Sequence, residues 1–200
     1  MTDRHGHPRP LADTVAALLD GGVRWLWFRD RDMEPGERAR IAETVAARVR
    51  AAGATLSVGA DMDLAARLGA EGVHLSGAAG PDAVAAARER LGSRALLGVS
   101  AHGLGEVEAA RAAGADYATL SPVFASASKP GYGPALGSAG LRAAARLGLP
   151  ILALGGLTAE NAAACRAAGA AGIAVMGALM RAADPAAAAR DLLAAWDAPR

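Results

Sequence analysis

Two arginines close an apolar run in Trp25-Leu26-Trp27-Phe28-Arg29-Asp30-Arg31-Asp32. In extended chain, alternation points Trp27, Arg29 and Arg31 to one side, so two guanidiniums converge there. Guanidinium forks suit phosphate or pyrophosphate oxygens. The same spacing also suits a local ion-pair network with Asp30 and Asp32. A second group stands in Gly98-Val99-Ser100-Ala101-His102. There a hydroxyl can donate to a phosphoryl oxygen, and an imidazole titrates near neutral pH. No G-x-S-x-G surrounds Ser100, so a hydrolase nucleophile elbow is excluded.

Two further places invite an anion. Gly155-Gly156 follows Leu154, and Gly177 follows Met176. Bare backbone N–H groups of such glycines approach phosphate oxygens closely, although glycines also simply make tight turns. Ser126-Ala127-Ser128-Lys129-Pro130-Gly131 holds the only lysine of the chain. Lys129 among hydroxyls and glycines is either an anion or leaving-group contact or a solvated surface lysine. His74 lies inside an apolar run and reads as a hydrogen-bonded residue of a barrel layer. The four histidines have no metal-ligand spacing.

These residues must be positioned by something regular. Seven times a helical stretch stops at a glycine and runs into a short apolar strand, as in RAAGATLSV, RLGAEGVHL and RAAGADYATL. The glycine closes the helix and the apolar run has the length of a buried strand. Helix-then-strand repetition predicts a parallel α/β sheet, and seven similar junctions predict a (β/α)8 TIM barrel. Strands are expected at Trp25–Phe28, Thr55–Val58, Gly72–Leu75, Leu96–Val99, Tyr117–Leu120, Ile151–Leu154 and Ile173–Met176, with a first helix at Leu11–Leu19. Only Met1–Arg4 remains for a strand before that helix, so the expectation is that the first strand of the barrel is nearly missing or that the true start lies upstream, four residues being too few to close a barrel. In barrels chemistry sits on the loops after the strands. The connection Ser121–Gly137 is too long for a mere connector and reads as functional.

Length and composition bound the rest. A chain of 200 residues forms a single domain, 1–200, with a substantial core. Net charge is +1 without a basic run, which argues against nucleic acid or membrane surface as partner. Cys165 stands alone in a helical stretch, so no disulfide is possible and a buried structural thiol is expected. No signal peptide and no bilayer-spanning run is seen, which makes a cytoplasmic location the expectation. An unpaired barrel edge would invite a second copy, so a homodimer is also expected.

Taken in order, the strand-end segments resemble the thiamin phosphate synthase/TenI family of (β/α)8 barrels. The family's Q-x-R-x-K is similar to Trp27–Arg31, and its G-x-S-x-H matches Gly98–His102. Its G-P-[IV]-F followed by T-x-T-K resembles Ser121–Phe124 and Ser126–Lys129. Its G-G-I and V-[MV]-[SG] phosphate loops resemble Gly155–Leu157 and Val175–Gly177. The resemblance implies that Gly155, Gly156, Val175, Gly177, Ser126 and Ser128 bind phosphate or substrate. It also places Arg29 and Arg31 on substrate and His102, Lys129 and Ser100 in catalysis.

Two activities follow from the resemblance. A family synthase joins an aminopyrimidine pyrophosphate to a thiazole phosphate, and pyrophosphate leaves with the help of Mg²⁺. The carboxylates that hold this metal sit in an N-D pair and in G-Q-x-D. Here those positions read Gly59-Ala60 and Ser76-Gly77-Ala78-Ala79, and Trp27 replaces the glutamine. TenI members lack the metal motifs too, and some are tautomerases that aromatise a thiazole phosphate carboxylate. Their catalytic histidine in G-H-V-F is Pro122 in this chain. The expectation is a TenI-like tautomerase that binds a thiazole phosphate, with no metal ligand and no cofactor. The alternatives are a diverged synthase, the one case that needs Mg²⁺, and a non-catalytic ligand-binding barrel.

Overall fold

Helix α1 (Leu11–Asp20) begins the regular structure, and from there strands and helices alternate until two successive helices close the described chain. The strands are β1 (Trp25–Phe28), β2 (Thr55–Gly59), β3 (Gly72–Leu75), β4 (Leu96–Ala101), β5 (Tyr117–Leu120), β6 (Ile151–Leu154) and β7 (Gly172–Ala174). Between and after them run α2 (Pro35–Ala51), α3 (Met62–Leu68), α4 (Pro81–Leu91), α5 (Leu104–Ala112), α6 (Gly137–Ala145), α7 (Ala159–Ala167), α8 (Gly177–Met180) and α9 (Pro185–Asp197). The computed structural model of the chain describes residues 1–5, 8–30, 32–125 and 133–198.

All seven strands are parallel and pair in sequence order, β1 through β7. Parallel neighbours require a crossover each time, and the intervening helices supply it. The strands alternate two faces. Leu26, Phe28, Leu56, Val58, Val73, Leu75, Leu97, Val99, Ala118 and Leu120 are buried in the main core. Each large aliphatic or aromatic side chain buried this way stabilises the fold by roughly 1.5–3 kcal/mol. The helices meet that layer through small residues, with Ala42, Ala65, Ala87, Ala110, Ala144 and Ala162 all fully or almost fully buried. The alanine bias of the sequence is therefore a close-packing device.

Three strand ends differ from expectation, and β2 does so by one residue, running on to Gly59. β4 continues through Ser100 to Ala101, because its ladder with β5 pairs Ser100 with Thr119 and Ala101 with Leu120. β7 stops at Ala174, and Met176 becomes the residue that precedes α8. The segment Met1–Arg4 is not a strand, yet it spans the seam between the first and last strands. Thr2 N–H donates to Trp27 O (2.9 Å), and the Met1 amine donates to Val175 O (3.0 Å). Four residues suffice to bridge the two sides because the contact is made only at the strand ends.

Candidate active site at the strand ends

The seam organises the end of β1. Thr2 is fully buried; its hydroxyl donates to Asp30 (2.5 Å) and accepts the Arg29 N–H (2.8 Å). Asp30, also buried, accepts the Arg4 N–H at 2.9 Å. Asp32 pairs instead with Arg4 (2.7 Å) and His5 (2.6 Å). Hydrogen bonds from His5 and Arg4 hold the Asp32 carboxyl well below the ordinary carboxylate range. Both aspartates are thus satisfied by Met1–His5, and the half-buried Arg29 guanidinium has no partner among the described residues. Of the two readings of this arginine, the anion contact is the one that leaves the cation something to bind. Arg31 lies outside the described residues.

Inside the barrel, polar and aromatic side chains from β1 to β5 meet. His74 is fully buried, with Nδ1 3.1 Å from the Tyr117 hydroxyl and Nε2 3.0 Å from Ser100 Oγ. Thr119 Oγ1 is a more distant neighbour of Nε2 at 3.3 Å. Trp27 lies over the His74 ring with centroids 3.9 Å apart, and Trp25 meets Tyr117 edge-on at 4.9 Å. Gly98 makes this possible: a Cβ there would overlap the Tyr117 ring and crowd His74 Nδ1. A glycine inside a strand marks such a close approach, and Gly98 was the sequence signal for it. Burial raises the Tyr117 hydroxyl far above neutral pH, so it stays protonated. His74 is the barrel-layer residue the sequence implied. Ser100 faces His74 from inside the strand, not from the loop beyond it.

His102 turns elsewhere. It is exposed, its N–H donates to Glu106 (2.6 Å), and its Nδ1 lies 2.8 Å from Ser121 O. A carbonyl can only accept, so Nδ1 carries the proton and, in the neutral ring, Nε2 carries the lone pair. Ser100 and His102 therefore engage different partners and form no dyad. Ser121 is followed by Pro122 through a cis peptide. Ser126, Ser128 and Lys129 lie outside the described residues.

After β6 the loop is built so that two of its residues must be glycine. Gly155 and Gly156 both take positive φ (93° and 64°). A Cβ on Gly155 would sit 2.9 Å from Pro122 Cα, and one on Gly156 would overlap the backbone at Phe124–Ala125. Their carbonyls are occupied: Phe124 N–H donates to Gly155 O (3.1 Å) and the Asn161 side chain to Gly156 O (2.8 Å). Thr158 and Asn161 then close a reciprocal cap on α7. Next door, Gly177 opens α8, where the first helical N–H groups have no partner in the helix. Val175 is buried and its carbonyl accepts the Met1 amine, so its side chain and carbonyl both face protein.

The ends of β2 and β3 are different in kind. Gly59-Ala60 and Ala78-Ala79 carry no side-chain oxygen. Asp61 is the nearest carboxylate in sequence and is fully used: one oxygen caps α3 at Leu64 N (2.9 Å), the other pairs with Arg38 (2.5 Å). Asp63 pairs with Arg90 at 3.1 Å. Among the described residues no three His, Cys, Asp or Glu side chains come together as a metal site. A hard dication needs several oxygen ligands, and this side of the mouth does not supply them. Trp27 and Gly59 also exchange volume. The indole Nε1 lies 3.0 Å from where a Gly59 Cβ would be, buried and without a partner. A side chain at position 59 and Trp27 cannot both fit unmoved.

Arg38 is the residue that sequence reading missed. It is buried on α2, its Nε donates to Asp30 O (3.0 Å), its Nη1 pairs with Asp61, and its guanidinium lies 5.4 Å from the Phe28 ring centroid. It therefore ties the loop after β1 to the loop after β2. No sequence motif marks it, because α2 carries other arginines on its exposed turns. Beside it an open cavity of about 1140 Å³ is lined by Arg38, Asp61, Asp63, Arg67 and Arg90 among others. Arg38, Arg67 and Arg90 each pair with a carboxylate, so the cavity wall is internally neutralised.

Comparison with known proteins gives a consistent answer. Residues 1–179 match the family model described as thiamine monophosphate synthase. The chain is 40% identical over 196 residues to a putative thiamine-phosphate synthase of Geobacter sulfurreducens, covering 97% of this chain and 91% of that protein. It is 45% identical over 183 residues to the thiamine-phosphate synthase of Chromobacterium violaceum, covering 91% and 86%. Among solved structures, a thiamine phosphate pyrophosphorylase from Pyrococcus furiosus superposes with a TM-score of 0.86 at 28% identity, covering 98% of this chain and 93% of that one. By its fold, its strand-end glycines and these relatives, the chain belongs to the thiamine monophosphate synthase family, TMP-TENI.

Proposed function

We propose that this chain is a thiamine-phosphate-synthase-type transferase that joins a pyrimidine pyrophosphate to a thiazole phosphate. The observation that carries the reading is a face with two separate places for an anion. Arg29 stands at the end of β1 with no partner among the described residues, and the Gly155-Gly156 loop stands at the end of β6. Two anionic substrates need two such places, whereas a one-substrate proton transfer needs one. The relatives named thiamine-phosphate synthase support the same choice over the tautomerase expected from sequence.

In this reading the bond from the pyrimidine methylene to pyrophosphate oxygen breaks, and the thiazole nitrogen forms the new C–N bond. Arg29 and Arg31 take the growing charge on the departing pyrophosphate, which is electrostatic stabilisation by preorganised donors. Ser100 donates to the same group from β4. Gly155, Gly156 and Gly177 hold the thiazole phosphate and so orient its nitrogen, while Lys129, Ser126 and Ser128 complete the anion contacts. Because the loops after β2 and β3 lack metal carboxylates, the guanidiniums carry this charge. The test is thiamine phosphate formation from both substrates, with Mg²⁺ and with a chelator. Product whose rate is little changed by the chelator is expected; bound substrates without product would overturn the reading.

A second reading, proton transfer on a thiazole phosphate, is favoured by one observation. The Nδ1 contact to Ser121 O fixes the His102 tautomer in which Nε2, the atom a general base uses, carries the lone pair. It predicts turnover of a thiazole phosphate carboxylate without any pyrimidine, and loss of that turnover in His102→Gln.

A further inference from the structure

Trp25, Ser57, Tyr117, His74 and Ser100 stand in a line of polar contacts across the barrel, from the N-terminal end of β1 to the mouth. Trp25 Nε1 lies 2.9 Å from Ser57 Oγ, and Ser57 neighbours the Tyr117 hydroxyl. Tyr117 continues to His74 Nδ1 and His74 Nε2 to Ser100 Oγ, at 3.1 and 3.0 Å.

The direction of the line follows from its first member. An indole N–H can only donate, so Ser57 Oγ accepts from Trp25. Ser57 is fully buried and neighbours the Tyr117 hydroxyl, whose oxygen is where its own hydrogen points in this line. Leaving that hydrogen unpaired would cost roughly 1–3 kcal/mol. Tyr117, likewise buried, then gives its hydrogen to His74 Nδ1. A neutral imidazole that accepts at Nδ1 carries its hydrogen on Nε2, and Nε2 donates to Ser100 Oγ. Ser100 receives a hydrogen bond it does not have to return. It is half-buried at the end of β4, and its own hydrogen has no acceptor among the described residues.

We propose that this one-way line locks His74 as the Nε2–H tautomer and so makes Ser100 a hydrogen-bond donor toward an oxyanion at the mouth. His74 and Tyr117 are then positioning residues, acting through Ser100 on a phosphoryl or pyrophosphoryl oxygen. The inference rests on the strand-end face being the ligand site, and the spectroscopic test below is independent of which reaction occurs there.

The experiment is long-range ¹H–¹⁵N correlation of histidine ring nitrogens in the ¹⁵N-histidine full-length chain, with His74 assigned by difference from His74→Gln. A single protonated Nε2 with a bare Nδ1 is expected; a protonated Nδ1 overturns the proposal. The second arm titrates inorganic pyrophosphate by calorimetry into the wild type, Ser57→Ala and Tyr117→Phe. Either variant removes a link, so His74 should populate both tautomers and affinity should fall about three- to tenfold, the range of one polar hydrogen bond. If Tyr117→Phe does not fold, Ser57→Ala, a smaller change, still decides. Unchanged affinity together with an unchanged tautomer in a folded variant refutes the line, because a purely structural role would alter melting alone.

Discussion

The two sides of the strand-end face are built on different terms. After β6, glycines at positive φ pack against the loop after β5, and no larger residue fits at Gly155 or Gly156. On β2 and β3, the equivalent ends are small residues with nothing to offer a ligand, and the nearest carboxylates are absorbed into ion pairs with Arg38 and Arg90. One side keeps a glycine loop under steric constraint, and the other carries no oxygens that would hold a metal. The lesson is that family membership can be carried by half a site. What the molecule can do must be argued side by side, from the groups each side retains.

The largest effect should come from the constrained side. Gly156→Ala adds a Cβ that overlaps Phe124–Ala125 at a φ that alanine resists, about 3 kcal/mol of strain. Thiazole phosphate affinity by calorimetry should fall more than about tenfold. Retention of wild-type affinity would mean that the loop does not touch phosphate.

Next comes the barrel centre that joins the two sides. Gly98→Ala forces Tyr117 and His74 apart and should lower stability by about 1–3 kcal/mol in denaturant unfolding. An unchanged midpoint would show that the aromatic layer has slack.

The stripped side can be probed by rebuilding it. Gly59→Asn alone should clash with the Trp27 indole, and Trp27→Gln alone should leave a void over His74. Together the two changes should couple favourably, by about 0.5–3 kcal/mol in a double-mutant cycle of melting free energies. Additive effects would mean that the volume exchange is coincidental.

The smallest effect belongs to the seam. The Asp32 carboxyl is held below its ordinary range by His5 and Arg4, so its contribution is present above the unfolded carboxylate range. It is lost as pH falls through the depressed folded value. Asp32→Asn should therefore lower the neutral plateau slightly and make the acid limb shallower, the two curves converging once the carboxyl is protonated. A loss as large in acid as at neutral pH would contradict this linkage, and a large loss at neutral pH would contradict the exposed position of this pair.

Most of the frame was legible. Strand bounds at Trp25–Phe28, Gly72–Leu75, Tyr117–Leu120 and Ile151–Leu154 coincide with the ladder, because short apolar runs closed by helix-ending glycines leave little freedom. Burial of Cys165, whose thiol is pushed up by its apolar surroundings, also followed from its place on α7. What was not legible depends on register. Whether Ser100 ends a strand or follows it is decided by pairing with Thr119, a residue 19 positions away in the ladder. Thr2, Arg38 and Tyr117 act through contacts between distant segments, and single residues of those types carry no signal of such a role.

The measurement that tests the account most directly is a two-ligand calorimetric titration. Thiazole phosphate is titrated into the protein with and without saturating inorganic pyrophosphate. Two anion places on opposite sides of the seam predict that thiazole phosphate binds with unchanged or higher affinity when pyrophosphate is present. Displacement of one by the other would reveal a single anion site and contradict the transferase reading.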